Sequence, residues 1–395
     1  MKCKIASILF VGILLSSCSV SNEKPMNEIV DEALDFAEKQ SLRMAAKYVD
    51  SDNIYPRTFD EGKMVTSGSD WWCSGFFPGV LWYLYENSNN PELLEYAKKY
   101  TNGIEKEKNN TGTHDLGFML YCSFGNGYRL TKDVSYKNIL LTGAASLSSR
   151  FNQKIGLIRS WDFGNWQYPV IIDNMMNLEY MFWAAKVSGN NYYQELCISH
   201  ADKTLKNHYR GDYSSFHVVS YDTITGIVER KQNYQGFSDE SAWSRGQAWG
   251  LYGYVVMYRE TKDDRFLAQA KRIADYTLNH PNMPADYIPY WDYLASKIPD
   301  EPRDASAGAI MASALIELSG YVEKELSQKY IEVAEIQLKT LASQSYTAGL
   351  GENGNFILMH SVGSLAHNSE VDVPITYADY YYVEALMRYK KLISK

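Results

Sequence analysis

One pattern recurs through this chain and limits what it can fold into. A helix-length segment rich in aromatic residues and glycine is followed by a short polar break and a second, more charged helix-length segment. Helical spacing of apolar residues marks 26–48, 78–88, 91–107, 115–130, 133–150, 174–188, 191–208, 244–259, 263–279, 305–320, 323–343 and 376–392. Ordinary helix punctuation supports these bounds: Pro78 just inside a start, Asn90-Pro91 before one, Gly189 after another and Pro281 after a third. The first member of a pair is apolar nearly all round, as in GFFPGVLWYLYE or SRGQAWGLYGYVVMYRE. The second is amphipathic, as in DRFLAQAKRIADYTL. A helix apolar on every side belongs inside, and an amphipathic one lies outside. The pattern therefore predicts an all-α fold of twelve helices, an inner ring wrapped by an outer ring, with the two terminal helices forming the sixth pair. Five connectors, 51–74, 151–173, 209–243, 280–304 and 344–375, are long, and each leads into an inner helix. Loops of that length commonly carry function, so a site is expected at the end where the inner N-termini converge. The clearest strand signal lies in one of these connectors, at 214–230, with a turn at Thr225-Gly226.

The first twenty residues read differently. Lys2 and Lys4 precede an apolar run from Ile5 to Leu15, and then come small residues ending in Ser17-Cys18. That is the layout of a secretory signal peptide over 1–17, too short for a stable membrane span. Leu15-Ser16-Ser17-Cys18 resembles a bacterial lipobox. Cys18 would then be the lipidated first residue of a mature chain, 18–395, that is anchored to a membrane and does not cross it. The expected location is the periplasmic side of an outer membrane. With no linker in evidence, 18–395 reads as one domain.

The net charge of −8 and the absence of a basic stripe speak against nucleic acid as a partner. Cys73, Cys122 and Cys197 sit in apolar surroundings and are odd in number, as buried free thiols would be. The seven histidines show no metal-binding spacing, and neither a metal nor an organic cofactor is expected. Tyrosine, at 32 residues, and tryptophan, at nine, suit sugar faces and helix packing equally well.

The chemistry-bearing residues gather at the expected inner N-termini. THDLGF brings His114 and Asp115, IIDNMMN brings Asp173, SDESAWSRGQAW brings Asp239, Glu240, Arg245, Gln247 and Trp249, and EPRDASAGA brings Asp304. Each has an ordinary alternative. Asp173 and Asp304 are the type of residue that caps a helix, Asp239 and Glu240 suit a first turn, Arg245 could serve an ion pair, and Trp71 and Trp72 could be wall or core. Gly75 and Gly79 suggest close helix packing. Two carboxyls at neighbouring inner starts also fit general acid and base work on a sugar. Burial among apolar residues favours the neutral form of Asp173 and a helix N-terminus favours the anion, and both stay open.

In this order the motifs WWCSGFFPGVLWYLYE, HDLGFMLYCSFGNGYRLT, IIDNMMNLEYMFWAA, QGFSDESAWSRGQAWGLYGY, IPYWDY with RDASAGAI, and ADYYYVEALMR resemble glycoside hydrolase family 88, the unsaturated glucuronyl hydrolases. The resemblance runs through nearly the whole chain after 17 and implies an (α/α)6 barrel. It places the family's two essential carboxyls on Asp115 and Asp173. His114, His217, Gln235, Arg245 and Trp249 fall on substrate positions, and Trp72 and Trp161 on stacking positions. The last connector, AGLGENGNFILMHSVGSLAHNSEVDVPITY, carries no matched motif. The implied substrate is a glycosaminoglycan oligosaccharide, left by a polysaccharide lyase, that ends in a 4,5-unsaturated uronic acid. The implied chemistry is hydration. Asp173 protonates C4, water adds at C5, and the resulting hemiketal opens to release the neighbouring sugar. Asp115 would orient the water or hold Asp173 in its working state. Arg245 and His217 would hold a carboxylate or sulfate. The rival readings are a family 105 enzyme acting on pectin fragments, a glycan-binding lipoprotein without catalysis, and a polysaccharide lyase.

Overall fold

The computed structural model describes residues 24–48, 50 and 55–394; the expected signal segment 1–17 and Cys18 lie outside the described residues. Twelve helices run through the described residues, close to the bounds expected from apolar spacing. They are α1 (Met26–Tyr48), α2 (Phe76–Ser88), α3 (Pro91–Asn102), α4 (Gly117–Gly125 continued by Asn126–Thr131), α5 (Val134–Ser148) and α6 (Leu178–Ser188). Then come α7 (Tyr192–Asn207), α8 (Ser244–Thr261), α9 (Asp264–Leu278), α10 (Ala305–Leu318), α11 (Lys324–Leu341) and α12 (Thr376–Ile393). Each even-numbered helix packs on the next, and α12 returns to α2, so the inner ring closes. Each odd-numbered helix lies against its even partner, with α1 on α12 as the sixth pair. This is the (α/α)6 barrel expected above.

Burial follows the patterning. α10 is buried over its whole length except Glu317, whereas α9 buries only one stripe, Phe266, Gln269, Ala270, Ile273, Ala274, Thr277 and Leu278. The excess of tyrosine is used on the axis. Phe76 meets Phe118, Tyr380 and Tyr381 at 5.2–5.9 Å between ring centres, and Trp249 meets Phe118 and Tyr381 at 5.3 and 5.2 Å. Tilted and edge-on pairs of this kind fill a wide core with rings whose quadrupoles attract. The glycines of WWCSGFFPGVLWYLYE let the inner helices approach. A Cβ on Gly75 would stand 2.1 Å from the Phe118 carbonyl oxygen, and one on Gly79 would stand 2.4 Å from the Tyr380 ring. Cys73, Cys122 and Cys197 are buried free thiols.

The long connectors hold more strand than the sequence showed. β1 (Tyr55–Asp60) pairs with β2 (Lys63–Ser67), and β3 (Phe151–Asn152) with β4 (Leu157–Ile158). β5 (Pro169–Ile171), β6 (Val218–Tyr221) and β7 (Val228–Gln232) form one sheet in that order, and β8 (Ser361–Ser364) pairs with β9 (Ser369–Val373). All the pairings are antiparallel. Most of these strands are five residues or shorter. Such short segments leave little periodicity to read, which is why only the stretch at 214–230 was visible beforehand.

Candidate active site

The sheet β5-β6-β7 brings the first catalytic candidate to its partner. Ile171 pairs with Val218 at the end of the ladder, and the Ile172 amide then donates to the His217 carbonyl at 3.0 Å. One residue further on, Asp173 lies in a tight 3₁₀ turn, Ile172–Asn177, that leads into α6. Asp173 does not cap that helix: no side-chain cap bond is made at the start of the turn or of α6. Its Oδ2 instead lies 3.5 Å from His217 Nε2 and has no hydrogen-bond partner within the described residues. The Gln235 amide donates to His217 Nδ1 at 3.2 Å. That nitrogen is therefore the acceptor, and the ring proton sits on Nε2, facing the carboxylate. Burial pushes the His217 imidazole below its ordinary range, against the opposing pull of Asp173.

A second pair stands at the start of α4. His114 Nε2 lies 3.3 Å from Asp115 Oδ1, and this buried nitrogen also lacks a hydrogen-bond partner. Asp115 Oδ2 accepts from the Thr113 hydroxyl at 2.7 Å, and that hydroxyl oxygen accepts from the Asp115 amide at 3.0 Å. Asp115 and Asp173 face one cleft of about 270 Å³. Buried polar atoms are nearly always hydrogen-bonded. Three that are not, His114 Nε2, Asp173 Oδ2 and His217 Nε2, meet at these two pairs.

Arg245, in the first turn of α8, turns out to do structural work while also lining the cleft. Its Nη1 lies 3.2 Å from Asp304 Oδ2 and also donates to the Val362 carbonyl, and its Nη2 donates to the Gly363 carbonyl at 2.5 Å. The guanidinium lies 4.5 Å from the centre of the Trp243 ring and 5.1 Å from that of Tyr377. Asp304 is the expected cap as well: its Oδ1 accepts from the Ser306 amide at 3.0 Å and the Ser306 hydroxyl at 2.6 Å. One carboxylate thus starts α10 and fixes the arginine that holds β8. Asp239 departs from expectation. It precedes α8 by several residues and accepts from the Asn233 amide at 2.9 Å, so it orders a loop and does not serve a first helical turn.

Trp72, Trp161 and Gln235 line the cleft. Trp72 stands as wall against Phe118 and Tyr377, while Trp71 is 40% exposed beneath the Arg57 guanidinium. Trp161 stacks on Phe163 at 4.9 Å and meets His217 edge-on at 5.6 Å. Trp249 is the exception among the expected residues. It is fully buried, packs against Phe118 and Tyr381 below the cleft, and is not part of the lining. It lies one helical turn beyond Arg245 and faces the axis, where a ring of that size fills the barrel. His217 is likewise buried and reaches the cleft through Asp173 and Trp161.

The sequence reading missed a second wall. Tyr234 packs at a tilt against His367, with ring centres 4.3 Å apart, and meets Trp161 and Trp166 edge-on. Ser364, Ser369 and Glu370 of the β8-β9 hairpin line the cleft beside them, and Arg57 of β1 pairs with Glu370 at 2.5 Å. No motif marked these residues, because the fold alone brings the first and last connectors together. Among the described residues no group of three or more His, Cys, Asp or Glu side chains is arranged to hold a metal ion.

Comparison with known proteins agrees with this arrangement. Residues 47–391 match Glycosyl Hydrolase Family 88. An unsaturated glucuronyl hydrolase of Formosa agariphila is 41% identical over 99% of this chain and 98% of its own. An unsaturated chondroitin disaccharide hydrolase of Streptococcus agalactiae is 32% identical over 92% of each chain. Among solved structures, an unsaturated glucuronyl hydrolase specific for heparin is 49% identical and superposes with a TM-score of 0.91, covering 93% of this chain and 99% of its own. The fold, the order of motifs and these similarities converge: the chain belongs to glycosyl hydrolase family 88.

Proposed function

We propose that this protein is an unsaturated glucuronyl hydrolase. It removes a 4,5-unsaturated uronic acid from the non-reducing end of glycosaminoglycan fragments. The observation that carries the reading is the pair of carboxyls on one cleft, each beside a buried imidazole: Asp173 with His217 and Asp115 with His114. The aromatic walls of the cleft suit a sugar, with flat faces for its rings and polar groups between them to orient it.

The C4=C5 bond of such a substrate is an enol ether conjugated to a carboxylate. Asp173, as the acid, delivers its proton to C4. The electron pair of the double bond forms the new C4–H bond, and positive charge develops at C5 and the ring oxygen. A water molecule adds at C5 and gives up a proton to a carboxylate. The C5 hemiketal then opens. The C5 hydroxyl becomes a ketone, the ring oxygen leaves C5, and C1 releases the neighbouring sugar as its alcohol. The net change is one water consumed. Asp115, held by Thr113 and faced by His114, orients that water. Arg245, held in the cleft wall, directs positive charge toward the substrate carboxylate, and Trp72 and Trp161 pack on the sugar rings. General acid and base assistance of this type contributes roughly 10²–10⁴-fold.

The test is the ultraviolet absorbance of the conjugated double bond during incubation with unsaturated disaccharides from heparin, chondroitin, hyaluronan and pectin. Loss of absorbance with a glucuronyl member supports the reading, and the ranking names the source polysaccharide. Loss with the pectin disaccharide alone would assign the chain to the galacturonyl reaction. A rise on intact polysaccharide would make it a lyase.

Export and anchoring belong to the same proposal. The sequence Leu15-Ser16-Ser17-Cys18 supports cleavage before Cys18 and lipidation of that residue. This fits an enzyme that finishes small lyase products on the periplasmic side of an outer membrane. Mass spectrometry of the N-terminal peptide from membranes decides the point: a diacylated Cys18 supports it, and an unmodified N-terminus elsewhere refutes it.

A further inference from the structure

A chain of buried side-chain amides runs from the turn that carries Asp173 to the pair at Asp115. It starts at Asn174, whose Nδ2 donates to the Ile158 carbonyl at 2.9 Å and to Ser160 Oγ at 3.3 Å. Both hydrogens of that amide are thereby directed, and its Oδ1 is left to accept. It accepts from Asn177 Nδ2 at 3.1 Å. The other end of the Asn177 amide is pinned from the backbone, because the Gly117 N–H donates to its Oδ1 at 2.9 Å. A backbone N–H can only donate, so the orientation of the Asn177 amide is determined. Its second hydrogen points to His114 Nδ1, 3.3 Å away. Asn174, Asn177 and His114 are each fully buried, so no bulk water competes for these bonds. Gly117 is part of the same device: a Cβ there would stand 2.4 Å from Asn177 Oδ1.

The consequence for His114 is a choice of tautomer. A nitrogen that accepts from an amide N–H carries a lone pair, so the ring proton lies on Nε2. Nε2 is the atom 3.3 Å from Asp115 Oδ1. We propose that Asn177 is a positioning residue that locks His114 as the Nε2–H tautomer, so that Asp115 always faces a hydrogen and never a lone pair. At the other carboxyl the Gln235 amide holds His217 Nδ1 at 3.2 Å in the same sense. The two sites therefore share one arrangement, built in one case from backbone and in the other from a side chain. Because Asn177 lies in the 3₁₀ turn Ile172–Asn177 that also carries Asp173, one short turn sets the geometry at both carboxyls. The functional consequence rests on Asp115 acting in turnover, as proposed above; the tautomer itself does not.

The test is imidazole nitrogen NMR on the ¹⁵N-labelled full chain, with His114→Gln used to assign the His114 signals. The expected wild-type result is a protonated Nε2 and an unprotonated Nδ1. A wild-type His114 with its proton on Nδ1 overturns the proposal without any variant. Asn177→Asp keeps the shape and the acceptor for Gly117 but places an oxygen against His114 Nδ1. His114 should then carry a proton on Nδ1, and kcat should fall at least about tenfold, as expected when the histidine facing a catalytic carboxyl holds the wrong tautomer. KM should change by less than about threefold, since ground-state contacts remain. Unchanged His114 nitrogen signals together with unchanged kcat in this variant would overturn the proposal. If Asp115→Asn retains wild-type turnover, the role of Asp115 fails, and the nitrogen spectrum still judges the lock.

Discussion

His217 Nε2 and Asp173 Oδ2 stand 3.5 Å apart because β5 ends beside the start of β6, the first leading into the carboxyl and the second preceded by the imidazole. The pairing resolves what an aspartate is doing in the apolar run PVIIDNMMN. A capping aspartate would turn its oxygens back on the amides of its own helix. Asp173 turns them toward a buried ring and an open cleft.

Replacement of either carboxyl should therefore act on turnover. We expect Asp173→Asn to lower kcat by roughly 10²–10⁴-fold, the range for loss of a positioned general acid. Asp115→Asn should cause a loss of similar order, with KM changed only modestly. The decay of double-bond absorbance measures both. Near wild-type rates from a folded Asp173→Asn would remove Asp173 from the mechanism.

Arg245 should report on stability as well as activity. Lysine cannot reproduce a fork that meets Asp304 and two carbonyls of β8 at once. A lysine keeps its charge opposite Asp304 but loses the charged hydrogen bonds to the Val362 and Gly363 carbonyls, a loss on the order of 1.5–3 kcal/mol. We expect Arg245→Lys to lower the urea midpoint and raise KM together. A raised KM with an unchanged midpoint would mean that Arg245 serves the substrate alone.

The Trp161 wall should act on binding. Trp161→Ala removes a ring that touches Phe163, Trp166, His217 and Tyr234. An aromatic contact worth about 0.5–1.5 kcal/mol corresponds to a KM increase of roughly two- to tenfold. kcat should change little. Initial rates across substrate concentrations separate the two constants, and a selective loss of kcat would contradict a stacking role.

Acid should unfold the barrel through histidines that it buries uncharged. Burial pushes the His208 imidazole down to about 4, and Val170 holds its Nε2 at 3.0 Å. The folded value lies below the unfolded one of about 6.5. The stability it contributes is therefore present above about pH 6.5 and is lost as the pH falls toward 4. The amount is on the order of 3 kcal/mol for this group. Melting temperatures of wild type and His208→Gln between pH 7 and 4.5 check this. The variant should lose less on acidification, and parallel curves would exclude His208 as the source.

Much of this architecture could be read from spacing alone. Helical periodicity is local, so an inner segment such as SRGQAWGLYGYVVMYRE announces its burial without knowledge of its neighbours. The site was partly legible for the same reason. His114, Asp115, Asp173 and Arg245 lie at or just before inner helix starts, and a barrel of hairpins gathers those starts at one end. Other features had no local signature. The motif of Trp249 points to the substrate, yet the axis buries the ring, because the direction of a side chain depends on what surrounds the helix. Tyr234, His367 and Glu370 were missed, since their meeting with Arg57 and Trp161 spans most of the chain and leaves no periodic trace. Which segments are helical, which faces turn inward and which carboxyls stand at the helix starts follow from neighbours a few residues away, and so are written locally in the chain. That Asp173 meets His217, that Arg245 is tied to Asp304 and that an amide chain orients His114 all come from the packing of distant segments. Each of those depends on which donors and acceptors the closed ring brings within about 3.5 Å.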